Sequence, residues 1–184
     1  MKNRKLSIGE VHETQVATRK TKGCGAPRCK TCPLLFSLDD EIIVNGQRVL
    51  LDKSLSCKSK NVVYLAQCTV CKTKQDRLAK ESDIDPDDVY IEDSYIGQTV
   101  SEVRNRMSGH RSSFKVDKEG RTTHAKSALA QHCFEEHPDQ MELSVFKVGF
   151  VTTCKATDLD REETRLINKL RTKVMELNRI KVIR

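Results

Sequence analysis

Apolar residues in the middle of the chain form short runs that are typical of β-strands. Residues 61–66, Asn-Val-Val-Tyr-Leu-Ala, are a compact run of β-formers, and Ser94-Tyr-Ile-Gly97 is a second one. Residues 143–151 alternate, and two phenylalanines, a valine and a serine fall on one parity, which predicts a strand with one strongly apolar face. Three strands are therefore expected, and the first two are joined by a long, polar, exposed insert at residues 72–93.

Helical patterns follow the second strand and close the chain. Thr99-Val-Ser-Glu102 has the sequence of a capping box and predicts a helix that continues to about Phe114. A second helix is expected over residues 123–136, where His137-Pro138 stops it, and a third opens at Thr157-Asp-Leu-Asp160. The apolar residues that recur with helical period in this last helix are Leu159, Leu166, Ile167 and Leu170. The expected order is strand, strand, helix, helix, strand, helix, with no internal repeat.

The N-terminal third differs in composition from the rest. Residues 1–22 are polar and basic without an apolar period, so they are either a flexible basic arm that touches phosphates or a disordered solvated tail. Residues 23–58 form a cysteine-rich accessory segment, in which Asn45-Gly46 between two apolar runs predicts a hairpin. The main domain is expected over residues 59–184.

Length and composition limit the function classes. A chain of 184 residues suits one domain with a small module. Its 4% aromatic residues with no Trp predict a small, aliphatic core that additional cross-links would stabilise. Lys and Arg total 33 against 26 acidic residues, a net charge of +7, which favours a polyanionic partner, with nucleic acid first. With no apolar run of membrane-span length and no secretory h-region, we expect a soluble, intracellular protein without a membrane partner.

The spacing of the eight cysteines is typical of metal ligands. Cys68 and Cys71 form a C-x2-C pair, and His132 and His137 supply two imidazoles, which suits a tetrahedral zinc site. A second set, plausible as a four-thiolate zinc site, consists of Cys24, Cys29, Cys32 and Cys57. Buried thiols remain the alternative for both sets, and the two remaining cysteines, at positions 133 and 154, are expected in the core.

Three polar residues stand at positions where chemistry is plausible. Glu163 shares the apolar stripe of the last helix, where a carboxylate needs a metal ion, an arginine or a proton, although it could also pair with Lys or Arg in solvent. Arg106 and His110 are four residues apart and share a helix face, so they could address a phosphate or form a solvated basic face.

These residues together resemble the signature of GIY-YIG nucleases. Val62-Val63-Tyr64 is similar to the first triplet, with two valines for Gly-Ile, and Tyr95-Ile-Gly97 is the second triplet, followed by Arg106 and His110. Residues 161–172 resemble the metal-ligand helix of the family and align Glu163 as the ligand. Residues 176–178 are similar to its Gly-Leu-Asn, with Glu for Gly, which makes Asn178 a candidate site residue.

A closer resemblance is to the endonuclease domains of Penelope-like retroelements. These domains carry two cysteines between the triplets, two histidines downstream and a cysteine-rich stretch upstream. In this chain the corresponding residues are Cys68, Cys71, His132 and His137. The insert at residues 72–93 is longer than the link that is usual in the family. The resemblance is compatible with a separate nuclease gene, an element remnant, or a domain excised from a parent protein that carries a reverse transcriptase domain, and it implies a nuclear location.

The resemblance implies an α+β fold, a small three-stranded antiparallel sheet flanked by helices, with an N-terminal cysteine-rich zinc-binding extension. It also implies a DNA endonuclease in which Glu163 holds one Mg²⁺ or Mn²⁺, Arg106 stabilises the phosphate, and the zinc ions are structural. Tyr64 is the expected general base or water-orienting group, supported by Tyr95 and His110.

Two other functions are compatible with the residues alone. One is a zinc-stabilised nucleic-acid-binding module with an inactive nuclease site, which would bind nucleic acid in a salt-sensitive way without cutting it. The other is a structural zinc-binding adaptor for protein partners, which a dispersed positive charge would favour.

Overall fold

A computed structural model describes residues 23–37, 40–84, 93–115 and 127–170. The strands are β1 Ile42–Val44, β2 Gln47–Val49, β3 Val62–Cys68, β4 Ser94–Thr99 and β5 Phe146–Thr153, and the helices are α1 Thr69–Ser82, α2 Val103–Ser112, α3 Ala128–Glu136 and α4 Leu159–Leu170. The chain is thus of the α+β class. The basic residues 1–22 and Asn178 lie outside the described residues.

Strand β3 is the centre of a three-stranded antiparallel sheet in the order β4-β3-β5. All seven of its residues are buried, because helices cover both faces. Val62, Tyr64 and Ala66 face one core with residues of α2 and α3, whereas Val63 and Leu65 face a second core with α4. The alternation of β3 therefore distributes its side chains between two small cores.

The prediction of an aliphatic core is wrong in one respect. Among the described residues, Tyr64, Phe146 and Phe150 are the three largest fully buried side chains, and the last two come from the apolar parity of β5. That strand begins at Phe146 rather than at Leu143, because residues 143–145 form a 3-10 turn.

The polar insert contains a helix that the apolar pattern does not indicate. Helix α1 buries only Cys71 and Ala79, so its sequence lacks an apolar stripe. Pairs spaced four residues apart, Lys72 with Asp76 and Arg77 with Glu81, support it along the exposed side. The expectation of an exposed, polar connection holds, but the predicted element order omits α1.

The predicted capping box at Thr99 is wrong. Thr99 pairs with Val62 as the last residue of β4, and its hydroxyl accepts a hydrogen bond from the Ser101 amide at 3.2 Å. Helix α2 begins at Val103 with Glu102 as N-cap and ends at Ser112. The ladder of the sheet overrides the local capping signal, while the helix itself forms as predicted.

The predicted hairpin in the cysteine-rich segment is confirmed. Asn45 and Gly46 both have positive φ, 50° and 70°, as a two-residue turn between β1 and β2 requires. The hairpin packs against α4 in the second core, and the side-chain amide of Asn45 donates to the Leu170 carbonyl at 2.8 Å. Two other residues of this segment contact β5: the backbone amide of Phe36 donates to the Val148 carbonyl at 3.1 Å, and that of Asp52 donates to the Phe150 carbonyl at 2.8 Å.

The last two predicted helices form. Helix α3 has Ser127 as N-cap and ends before His137, as expected, while its predicted first turn from residue 123 lies outside the described residues. Helix α4 follows a 3-10 turn and buries the four predicted residues, Leu159, Leu166, Ile167 and Leu170. No described helix is both long and apolar enough to span a bilayer.

Candidate functional site

A cluster of hydrogen-bonded polar side chains lies between β3, β4 and α2. The Tyr64 hydroxyl lies 2.8 Å from Nε2 of His110, and Nε of Arg106 donates to the same hydroxyl at 3.2 Å. The Tyr95 ring lies beside both, with centroids 6.2 Å from Tyr64 and 6.1 Å from His110. The structure therefore brings together four of the residues that the sequence singles out.

Gly97 allows the two tyrosines to approach each other. It pairs with Tyr64 across the sheet, and the Tyr64 ring lies directly over it. A Cβ atom at this position would lie 2.7 Å from the Tyr64 hydroxyl and 2.5 Å from a ring carbon of Tyr95. Any larger residue at position 97 would displace both rings, so the glycine has a steric role in the site.

Both ring nitrogens of His110 have a hydrogen-bond partner. Nε2 pairs with the Tyr64 hydroxyl, which also accepts from Arg106, and Nδ1 pairs with Ser127 Oγ at 2.8 Å; these contacts are satisfied when Nε2 accepts the phenolic proton and Nδ1 donates. Burial, and next the charge of Arg106, lower the pKa of His110 to about 3. The imidazole is therefore neutral near pH 7. Ser127 has no signal in the sequence.

The depressed pKa of His110 predicts a specific loss of stability in acid. Below its ordinary pKa of 6.5 the unfolded chain binds a proton that the folded protein refuses until its pKa of about 3. Stability should thus fall as the pH drops from about 6 to 4, by up to about 1.4 kcal/mol per pH unit from this group. Chemical unfolding of the wild type and of His110→Gln over this range checks it. Ionisation of the zinc-site ligands affects both proteins alike, so equal slopes would contradict the assignment.

The two tyrosines hold their protons near neutral pH. Burial, and next the neighbouring Tyr95, raise the pKa of Tyr64 well above its ordinary value, and burial also raises the pKa of Tyr95. Tyr64 has no exposed surface, whereas Tyr95 is partly exposed. Arg106 is exposed at the rim, so water and ligands reach the cluster from that side.

Glu163 lies on the other side of β4, on α4. It is half-buried, and its carboxylate accepts a hydrogen bond from the Gln98 amide at 3.2 Å. Gln98 also bonds to Asp160. Burial raises the pKa of Glu163, while the positive charge of Arg106 opposes that shift. The carboxylates of Glu163 and Asp160 thus share the side-chain amide of Gln98 near the edge of the sheet. The sequence pattern predicts neither Gln98 nor Asp160 as a member of the site.

The neighbouring Glu162 is directed elsewhere. It bonds to Arg165 at 2.8 Å and is itself partly buried, so the two glutamates differ in their partners and not in their burial. The negative charge of Glu163 acts on both tyrosines, and raises the pKa of each. The five polar residues therefore belong to one electrostatic neighbourhood around β4, with β3 and α2 on one side and α4 on the other.

The first predicted metal-ligand set converges on one buried point. Sγ of Cys68 lies 3.2 Å from Nε2 of His137, and Sγ of Cys71 lies 3.3 Å from Nε2 of His132. All four ligand atoms lie within 4.8 Å of one another. Tetrahedral zinc would separate a thiolate and an imidazole nitrogen by about 3.6 Å, so these residues fit a zinc-like ion after small adjustments.

The second set also converges. Sγ of Cys57 lies 3.5 Å from the sulfurs of Cys29 and Cys32, and Cys32 lies 3.6 Å from Cys24. Tetrahedral zinc would separate two thiolates by about 3.8 Å. No disulfide joins these cysteines. Both clusters could hold a zinc-like metal ion.

The two remaining cysteines differ from each other. Cys133 is fully buried in the first core, as predicted. Cys154 is only half-buried and packs against the edge of the second core. Neither belongs to a metal-ligand cluster among the described residues.

The chain was compared with known proteins. No protein-family model matches it, and the comparisons with curated proteins and with solved structures found no match.

Proposed function

We propose that the protein is a metal-dependent DNA endonuclease of the GIY-YIG type, similar to the endonuclease domains of Penelope-like retroelements. The observation that carries the proposal is the convergence of Tyr64, Arg106 and His110 in one hydrogen-bonded cluster beside Tyr95. A purely structural core has little need for an arginine that links a buried phenol to the solvent-exposed rim. The triplets and the Arg-x3-His spacing add sequence support.

In this proposal Arg106 binds the scissile phosphate. Its side chain is exposed at the rim and remains charged at any working pH, so it can stabilise the additional negative charge of the pentacovalent phosphate. When Arg106 turns to the phosphate it leaves the Tyr64 hydroxyl, which then becomes accessible to the attacking water.

Tyr64 and His110 handle the proton of that water. The Tyr64 oxygen accepts it while the phenolic proton moves to Nε2 of His110, and the Nδ1 proton stays on the hydrogen bond to Ser127. An anionic phosphate beside Arg106 also weakens the repulsion that helps to depress the pKa of His110. The resulting hydroxide bonds to phosphorus as the bond to the 3′ oxygen breaks, and that oxygen leaves as an alkoxide that takes a proton from solvent to become the 3′-hydroxyl.

Glu163 would hold the divalent cation, with Asp160 beside it. One or two carboxylates plus retained waters is a coordination that suits Mg²⁺ or Mn²⁺. Such an ion neutralises charge on the phosphate and on the leaving 3′ oxygen. The zinc ions at the two cysteine clusters are structural, and the expected substrate is DNA in the nucleus, with a reverse transcriptase domain in the parent element.

Replacement of Arg106 tests the proposal. Arg106→Ala should lower the rate of Mg²⁺-dependent nicking of supercoiled plasmid about 10²- to 10³-fold, because the phosphate loses its charged donor. Arg77→Ala is the matched control, since Arg77 is exposed on α1 and forms an ion pair with Glu81. Equal rates for both variants would remove Arg106 from the site.

The runner-up function has its own signature in the same assay. A zinc-stabilised binding module would retain plasmid in a salt-sensitive complex without producing nicked circles. That outcome for the wild type would refute the enzyme and retain the nucleic-acid partner.

A further inference from the structure

A basic surface lies on the side of α2 opposite Tyr64 and Tyr95. A cleft of about 420 Å³ separates residues 26–31 from the exposed face of α2. Its cationic side chains are Arg28, Lys30, Arg104 and Arg111. None of the described residues that line it is acidic, and nearby Glu102 pairs with Arg104 alone. Three cations therefore face the cleft without a carboxylate partner in the described ion pairs.

Both walls of the cleft are held in place by specific contacts. Nη2 of Arg111 donates to the Lys30 carbonyl at 2.8 Å, which ties α2 to the loop. The Arg104 amide donates to the Cys57 carbonyl at 2.8 Å, and Cys29 of the same four-cysteine cluster lines the cleft. A metal ion in that cluster would thus fix the loop that carries Arg28 and Lys30.

Two of the cations of the cleft lie along one face of α2. Arg104 and Arg111 are seven residues apart, which corresponds to about 10 Å along the helix axis. That distance is about the rise of three base pairs. Arg106 faces the tyrosine cluster on the other side of the same helix, so the cleft is a contact separate from that cluster.

We propose that this cleft binds the phosphate backbone of duplex DNA, and that the four-cysteine cluster positions Arg28 and Lys30 for this contact. The inference rests on the proposed nuclease function for the identity of the partner as DNA. It assigns the cysteine-rich segment a part in substrate binding as well as in stability. Charge complementarity, rather than base contacts, supplies the affinity.

Binding measured without Mg²⁺ tests this surface independently of cleavage. Fluorescence anisotropy of a labelled DNA duplex, titrated with zinc-loaded protein at several KCl concentrations, compares Arg28→Ala/Lys30→Ala with Lys74→Ala/Lys80→Ala. The control removes the same charge from α1, on which both lysines are exposed. The cleft variant should bind about tenfold or more weakly, with a salt slope smaller by about 1 to 2, while the control stays within about twofold of wild type.

Two results would overturn the inference. One is equal affinity of the cleft and control variants, and the other is binding of polyglutamate as tight and as sensitive to the cleft variant as that of DNA, since the cleft would then be a general anion site. Zinc content measured on each variant excludes loss of the cluster as the cause. Weakened binding in a protein that never nicks DNA would refute the nuclease while retaining the cleft, so the two failures are distinguishable.

Discussion

Glu163→Gln is expected to lower the rate of Mg²⁺-dependent plasmid nicking about 10²- to 10⁴-fold. Glutamine has nearly the same shape and can still accept the hydrogen bond from Gln98, so the fold should be preserved. The charge that holds the divalent cation is lost. Electrophilic stabilisation by such an ion contributes several kcal/mol to the transition state, and each 1.4 kcal/mol corresponds to about a factor of ten.

Glu162→Gln is the matched control for this prediction. It removes the same charge from the adjacent residue, which bonds to Arg165 rather than to Gln98. Nicking rates at saturating plasmid, with DNA affinity measured in parallel without Mg²⁺, separate catalysis from binding. A Glu163→Gln protein that nicks as fast as the control would remove Glu163 from the mechanism.

Cys68→Ser is expected to unfold the protein and to remove one zinc ion from it. Structural zinc contributes about 10–16 kcal/mol in small zinc domains, which equals or exceeds the usual total stability of about 5–15 kcal/mol. Cys68 ends the central strand, and the first cluster joins it to α1 and α3. Loss of the ion would therefore loosen the first core, where Tyr64 and His110 lie.

Cys133→Ala controls for the removal of a thiol from the same core. Cys133 is fully buried but belongs to neither described cluster, so this change should cost only about 1 kcal/mol and leave zinc content unchanged. Metal analysis should give about two zinc per chain for the wild type and the control, one for each cluster, and less for Cys68→Ser. A Cys68→Ser protein with unchanged zinc content and thermal midpoint would contradict a structural metal at this site.

The features that the sequence predicts well depend on local spacing. Helical geometry correctly gives the buried stripe of α4, formed by Leu159, Leu166, Ile167 and Leu170. The hairpin turn follows from the backbone conformations that Asn45 and Gly46 allow. The metal-ligand sets follow from cysteine and histidine chemistry, although their two halves are brought together only by the fold.

The features that it misses depend on tertiary contacts. Ser127 reaches His110 across 17 positions, and Gln98 reaches Glu163 across 65, and neither distance has a periodic signal. Helix α1 lacks an apolar stripe, so hydrophobic periodicity cannot reveal it. The false capping box at Thr99 illustrates the converse, since pairing with Val62 in the sheet outweighs a local motif.

The most direct test is the rate at which the wild-type protein nicks supercoiled plasmid with Mg²⁺ present and with Mg²⁺ omitted. A chelator should be avoided, because it would also strip zinc from the cysteine clusters and unfold the protein. The account predicts nicked circles with 3′-hydroxyl and 5′-phosphate ends only when Mg²⁺ or Mn²⁺ is added, and their loss in Glu163→Gln. Zinc-loaded, folded protein that leaves the plasmid intact with either ion would contradict it.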